Sequence, residues 1–214
     1  RIYTPTEGSI DFVGPKGVVK LTEQAPQDVA ALGIARTFQN IELFEHASVL
    51  HNLLIGRHTH RKTSFLQDMF FTAATREEEQ RSREKVEEVI DFLSLQHYRD
   101  TFVAGLPYGV RKVVEVARAL CTEPSLLLLD EPFSGLDMPS HEAILEILNG
   151  LRNQNVTVMV STHDLNLAAE EFDQVIIRFN IPFAEFGDKD GARALSIAEN
   201  CRRLVKKPGI RLQI

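Results

Sequence analysis

Apolar positions recur along this chain with two different periods, and each change of period marks a change of element. Near the start, Ile10 and Phe12 alternate with polar residues after Gly8, the mark of a short strand opened by a glycine turn. Residues 76–95 then repeat every three to four positions. Val86, Val89, Ile90 and Leu93 form one apolar stripe, and Glu77, Glu78 and Glu79 are expected in the first turn, where the helix dipole favours anions. Gly105 and Pro107 close that helical stretch. A second stripe follows at Val110, Val113, Val114, Ala117 and Leu120, and Pro124 stops it. The run Leu126 to Leu129 ends in Asp130-Glu131-Pro132, as a parallel strand buried on both faces ends in polar residues at its carboxyl edge. Asp137 is placed to cap a helix with Pro139 in its first turn, and Ile144, Ile147, Leu148 and Leu151 give it a buried face. Val156 to Ser161 reads as another strand, leading to Thr162-His163-Asp164. A helix near 165–172 and a strand at Val175–Ile177 complete the series. Strands alternating with helices through short links predict an α/β chain with a mostly parallel sheet.

Composition narrows this picture. A chain of 214 residues makes one large domain or two small ones. With 43% hydrophobic and 25% charged residues it is neither disordered, collagenous nor a long coiled coil. No stretch approaches the roughly 18 apolar residues of a membrane span, and nothing reads as a signal peptide. The net charge of −6 argues against a nucleic-acid binder. Two cysteines, Cys121 and Cys201, make no disulfide framework and suit a reducing compartment.

In open α/β sheets, ligands bind beyond the carboxyl ends of the strands. Two of those ends carry chemistry here: the pair Asp130-Glu131 and the imidazole of His163. Adjacent acids leaving a strand point to opposite sides, so one is free to hold a metal-bound water while the other faces a reacting group. His46, His51, His58 and His60 fit no metal-ligand template. The alternating Arg and Glu residues of 76–95 read as a solvated helix face.

The segment from Leu126 to Asp137, Leu-Leu-Leu-Leu-Asp-Glu-Pro-Phe-Ser-Gly-Leu-Asp, resembles the Walker B motif and D-loop of the ATP-binding cassette (ABC) ATPases. Other motifs of that family appear in its order. Arg36-Thr37-Phe38-Gln39 resembles the Q-loop, Leu106-Pro107-Tyr108-Gly109-Val110 stands where the signature motif belongs, and Ser161-Thr162-His163-Asp164 resembles the H-loop. The resemblance runs from about Tyr3 to about Gly187. It implies a P-loop NTPase (RecA-like) core, residues 1–39 and 113–214, with an inserted helical subdomain at 40–112. It also implies ATP and Mg²⁺ as ligands. Asp130 would support Mg²⁺, Glu131 would be the general base, and His163 would contact the γ-phosphate. Gln39 would touch Mg²⁺ and the lytic water, while Leu106, Pro107, Tyr108, Gly109, Val110 and Asp137 would serve nucleotide across a dimer interface. Asp130, Glu131 and His163 would then converge on one triphosphate pocket.

The signature segment departs from the family's Leu-Ser-Gly-Gly-Gln: Pro107 replaces the serine, Tyr108 the first glycine and Val110 the glutamine. Leu-Pro-Tyr-Gly and the run Gly33 to His46 resemble the ATPases of branched-chain amino acid importers, and 33–132 as a whole is similar to that subfamily. Residues 133–178 look more like metal-ion ABC ATPases. The Walker A pattern Gly-x4-Gly-Lys-Ser/Thr is not found; Gly14-Pro15-Lys16-Gly17 has the wrong spacing and reads as a turn between strands. Arg1 to Gly8 resembles the segment just after the Walker A helix, so that loop is expected upstream of Arg1. This stretch alone is then expected to be inactive, within an intact protein that hydrolyses ATP to drive solute import. The implied partners are transmembrane permease subunits and a second cassette, in a homo- or heterodimer, with no nucleic acid. The implied location is cytoplasmic, peripheral on the inner face of the cell membrane. The stretches 41–55 and Phe65 to Phe71 would receive the membrane subunit. The alternative is a degenerate, non-catalytic cassette that docks a membrane partner.

Overall fold

A computed structural model describes residues 8–14, 17–37, 40–60, 72–154, 156–178 and 210–213. Gln39, Phe65 to Phe71 and Cys201 lie outside the described residues. The chain divides into two units, Arg1–Ser161 and Thr162–Ile214.

The first unit opens with a hairpin of β1 (Asp11–Gly14) and β2 (Gly17–Lys20), paired antiparallel with Gly14 opposite Gly17. The two glycines of the Gly-Pro-Lys-Gly cluster thus close a hairpin end, as its spacing predicts. Three short 3-10 turns lead to Gly33, whose carbonyl accepts from the amides of Ser125 and Leu126 (2.9 and 3.1 Å). From that joint the parallel sheet runs in the order β3 (Ile34–Arg36), β4 (Leu126–Asp130), β5 (Thr157–Ser161). Ala35 pairs with Leu127 and Leu127 with Val158; Asp130 pairs with Ser161.

The helices pack on one face of this sheet. Leu127 (0% exposed) and Leu129 (2%) join a core with Val114, Ala117, Ile144 and Leu151. Leu126 and Leu128, on the opposite face, are half-buried, and Met159 beside them is exposed. The expectation of burial on both faces therefore holds for one face among the described residues.

Helix α1 (Val49–Gly56) is capped by Ser48, whose Oγ accepts from the His51 amide at 3.3 Å. Gly56 is where α1 meets the later helix α3 (Tyr108–Leu120): a Cβ there would sit 2.5 Å from the Arg118 carbonyl oxygen, so only glycine allows that approach. Helix α2 (Ala73–Phe92) buries Val86 and Ile90 as its stripe predicts. It starts earlier than 76, because Thr72 caps it by accepting from the Thr75 amide (3.4 Å). The three glutamates consequently fall in the second turn, past the strongest part of the dipole. It also ends earlier than 95: Ser94 takes φ +55° and the Leu95 amide bonds back to the Ile90 carbonyl (2.9 Å). Helix α4 (Met138–Arg152) starts at its Asp137 cap with Pro139 in its first turn, as expected.

Asn52 is fully buried in α1. Its Nδ2 donates to the carbonyls of Phe44 and Ser48, both at 3.0 Å, and its Oδ1 accepts from the Phe44 amide at 2.8 Å. Arg118 holds the same loop by donating to the Glu42 carbonyl (2.6 Å). Asn52→Ala strands several backbone groups at once. It is expected to cost about 2–3 kcal/mol, read as a lower urea midpoint at unchanged slope; an unmoved midpoint would refute that role.

In the second unit, Asp164 caps helix α5 (Leu165–Glu171), accepting from the amides of Asn166 and Leu167 (3.0 and 3.1 Å). Strand β6 (Val175–Arg178) pairs in parallel with β7 (Ile210–Gln213). Strand β7 is absent from the sequence reading, although Ile210 and Leu212 alternate with polar neighbours. Among the described residues no helix is long and apolar enough to cross a membrane.

Candidate functional site

The carboxyl end of β4 is built by register. Pairing β4 with β5 sets Ser161 beside Asp130, and its Oγ donates to Asp130 Oδ1 at 2.6 Å. Pairing β4 with β3 brings in Arg36, whose Nη2 donates to Asp130 Oδ2 at 3.0 Å. The Ser161 hydrogen bond, and after it the Arg36 bond, hold the Asp130 carboxyl below its usual range. The strand therefore ends in a fixed anion that is a third exposed. Neither Arg36 nor Ser161 stands out in the sequence. Each is only the edge of a motif there, and their meeting at one carboxylate depends on pairings across 94 and 31 residues.

Glu131 leaves the pleat. Its φ is +47°, its amide donates to the Ser161 carbonyl (3.1 Å), and its carbonyl accepts from the Ser134 amide (3.1 Å). Alternation along the strand thus stops at Asp130, and a left-handed turn, rather than the pleat, sets the direction of Glu131. A non-glycine residue in that region carries strain of order 1 kcal/mol, of the kind found at functional sites.

The turn continues to Asp137, whose Oδ1 accepts from the Ser140 amide at 3.1 Å. Hydrogen bonds from Ser140 hold this carboxyl below its usual range as well. The segment 106–110 lies against this turn. The Tyr108 ring is 3.5 Å from where a Cβ on Gly135 would be. At Gly109 a Cβ would lie 2.0 Å from Ser140 Oγ and 2.6 Å from its Cβ, so glycine is required for the starts of α3 and α4 to touch. Helix α3 begins at Tyr108, two residues before the expected Val110, with Pro107 at its cap and no side chain bonded to its first amides. Those amides form a positive helix end of the type that receives anions. Arg111 stiffens the approach by donating to the carbonyls of Leu106 (3.0 Å) and Ala104 (2.7 Å).

The structure therefore brings together Leu106, Pro107, Tyr108, Gly109, Val110 and Asp137 at one pair of helix starts, and sets Asp130 and Glu131 at the end of β4. His163 comes two residues after β5 and belongs to the second unit, in the bend ahead of Asp164. The Thr37 amide extends the ladder to the Leu128 carbonyl (2.9 Å), and Gln39, two residues later in the sequence, is outside the described residues. Two of the four clustered histidines have structural roles: His51 Nδ1 bonds Ser48 Oγ (2.7 Å) and His60 Nε2 bonds the Thr122 carbonyl (2.8 Å). Among the described residues no group of three His, Cys, Asp or Glu is placed to hold a metal ion by itself. Mg²⁺ asks for less: one or two carboxylates, with water and phosphate completing its shell. The ionised, partly exposed Asp130 fits that demand.

Comparison with known proteins shows the family and the fold. A family model described as ABC transporter matches residues 1–134. A high-affinity branched-chain amino acid transport ATP-binding protein, BraF of Pseudomonas aeruginosa, is 31% identical over 176 residues, spanning 82% of this chain and 68% of that protein. LivG of Salmonella typhimurium, named for the same role, is 30% identical over 177 residues, 82% of this chain and 68% of its own. Among solved structures, a nucleotide-free ATP-binding cassette from an ABC transporter superposes with TM-score 0.62 at 28% identity, covering 83% of this chain and 70% of that one. An ATP-binding cassette in its ADP conformation gives 0.63 at 28%, covering 88% and 74%. A sheet with the P-loop NTPase layout, an acid pair closing its central strand and a family match over more than half the residues lead to one conclusion: this chain belongs to the ABC transporter family, and the intact protein is an ATPase of the ATP-binding cassette type.

Proposed function

We propose that the intact protein couples ATP hydrolysis to the import of branched-chain amino acids. The observation that carries this reading is the identity, over four-fifths of the chain, with BraF and LivG. In this proposal residues 1–39 and 113–214 form the ATPase core and 40–112 the helical subdomain. Two cassettes, identical or related, close on ATP and engage transmembrane permease subunits at the inner face of the cell membrane.

Hydrolysis of the γ-phosphate is mainly a matter of positioning and charge stabilisation. Glu131 accepts a proton from the attacking water. His163 and Gln39 orient the phosphate and the water. Asp130 would help to hold Mg²⁺, and the ion would supply neutralisation of phosphate charge. The start of α3, with Leu106, Pro107, Tyr108, Gly109 and Val110, offers amides to the nucleotide of the partner cassette, and Asp137 lies at the edge of that contact. Pro107 has no hydroxyl to give, so the backbone carries this contact. The 214-residue chain alone has weak nucleotide affinity and negligible turnover, because it has no Walker A pattern to grip the phosphates.

The test is uptake of radiolabelled leucine, against manganese and zinc, by the intact transporter in proteoliposomes loaded with ATP. ATP-dependent leucine uptake supports the reading; uptake of a metal ion without leucine overturns it. In parallel, turnover by the isolated chain on the order of 1 per second would overturn its assigned inactivity.

A further inference from the structure

The Asp130 carboxylate has a protein donor on each oxygen, and the two donors differ in how easily they leave. Ser161 Oγ donates to Oδ1 at 2.6 Å and accepts in turn from the Glu131 amide at 3.3 Å. It is held from both sides, and the register that pairs Asp130 with Ser161 fixes its backbone. Arg36 Nη2 donates to Oδ2 at 3.0 Å. Its side chain is 57% exposed, and on β3 it pairs with Leu128, so the guanidinium reaches two residues along the sheet to meet the acid. A half-exposed ion pair of this kind is worth little, because water solvates both charges well. Oδ1 is thus committed to the fold, and Oδ2 is the oxygen that an incoming group can take.

Oδ2 already faces a cation. A divalent ion held by the same carboxylate would stand beside the guanidinium, and like charges repel. Mg²⁺ and Arg36 therefore compete for one oxygen. The displaced guanidinium then needs another anion. In an ATPase the metal enters with the phosphates of the nucleotide, and the planar fork of an arginine matches phosphate in two-point contact, which no lysine reproduces.

We propose that Arg36 is an exchange residue: it neutralises Asp130 in the nucleotide-free protein, yields Oδ2 to Mg²⁺, and passes to a phosphate of the nucleotide. This rests on the reading of Asp130 as the group that supports Mg²⁺. Metal alone has to displace the arginine and offers it nothing in return. Metal with nucleotide supplies the new partner. The residue thereby couples the two ligands, favouring their joint entry over either one alone.

The test uses the intact protein and two probes: Mn²⁺ alone, followed by electron paramagnetic resonance and displaced with Mg²⁺, and ATP in EDTA, followed by calorimetry. Arg36→Met, at an exposed position that leaves the core intact, is expected to bind metal alone about three- to tenfold more tightly. The same variant is expected to bind metal-free ATP about tenfold more weakly. Arg36→Lys keeps the charge and loses the fork, so its metal affinity is expected to stay at the native level while its ATP affinity falls. An ion pair that served only stability would move both affinities the same way or neither. Metal affinity that does not rise in Arg36→Met, or ATP affinity that does not fall, overturns the proposal. Asp130→Asn separates this exchange from the reading beneath it. If that variant loses the metal while Arg36→Met gains none, the exchange falls and Asp130 keeps its role; if it holds metal as the native protein does, both fall.

Discussion

Glu131→Gln in the assembled transporter is expected to lower the kcat of ATP hydrolysis by about 10²–10⁴-fold, the usual weight of a general base, with ATP binding unchanged. The amide matches the carboxylate in size but cannot take the proton of the attacking water. The backbone argues that shape survives. The φ of +47° is set by the turn, and the amide bond to the Ser161 carbonyl belongs to the main chain, so neither depends on the side-chain head. Glu131→Gly separates strain from chemistry: it is expected to relieve the left-handed position, raising stability by about 1 kcal/mol, while losing turnover as fully as the glutamine. Phosphate-release kinetics and nucleotide titration check both variants. A glutamine variant that retains near-normal kcat would remove Glu131 from the role of base.

Leu127→Ala is expected to destabilise the fold by about 2–5 kcal/mol. Leu127 is wholly buried on the middle strand, paired to Ala35 on one side and to Val158 on the other, under the core faces of α3 and α4. Deleting its side chain opens a hole where sheet and helices meet, and three strands share the loss. Leu128→Ala is the control: its side chain is half-buried on the other face, so about 1 kcal/mol is expected. Urea unfolding of the two variants should differ clearly in midpoint. Equal midpoints would mean that the two faces of the sheet are covered alike.

The contrast between these two leucines shows where the sequence stops being informative. An unbroken run of four leucines reads as a strand buried on both sides, because a run without alternation names no face. Which face is covered depends on the helices that pack there. Helix boundaries behave similarly. The stripe through Val86 and Ile90 is a local period and reads directly. The start of α2 depends on one hydroxyl, that of Thr72, so periodicity alone puts the glutamates one turn too early. Strand β7 is four residues long, too short for alternation to stand out.

For the candidate site, residue types and order along the chain were enough to select Asp130, Glu131, the 106–110 loop and Asp137, since the family's motifs are short contiguous strings. The partners of those residues were not legible. Arg36 and Ser161 reach Asp130 through strand register, and Arg57 reaches Cys121 and Glu123 across 64 and 66 residues. Periodicity, caps and motifs are properties of neighbours in the chain, so one-dimensional reading recovers them. Register, the buried face of a strand, a left-handed turn at Glu131 and a buried guanidinium at Arg57 arise when distant segments compete for the same hydrogen bonds and the same volume. That competition is resolved only when the chain has folded.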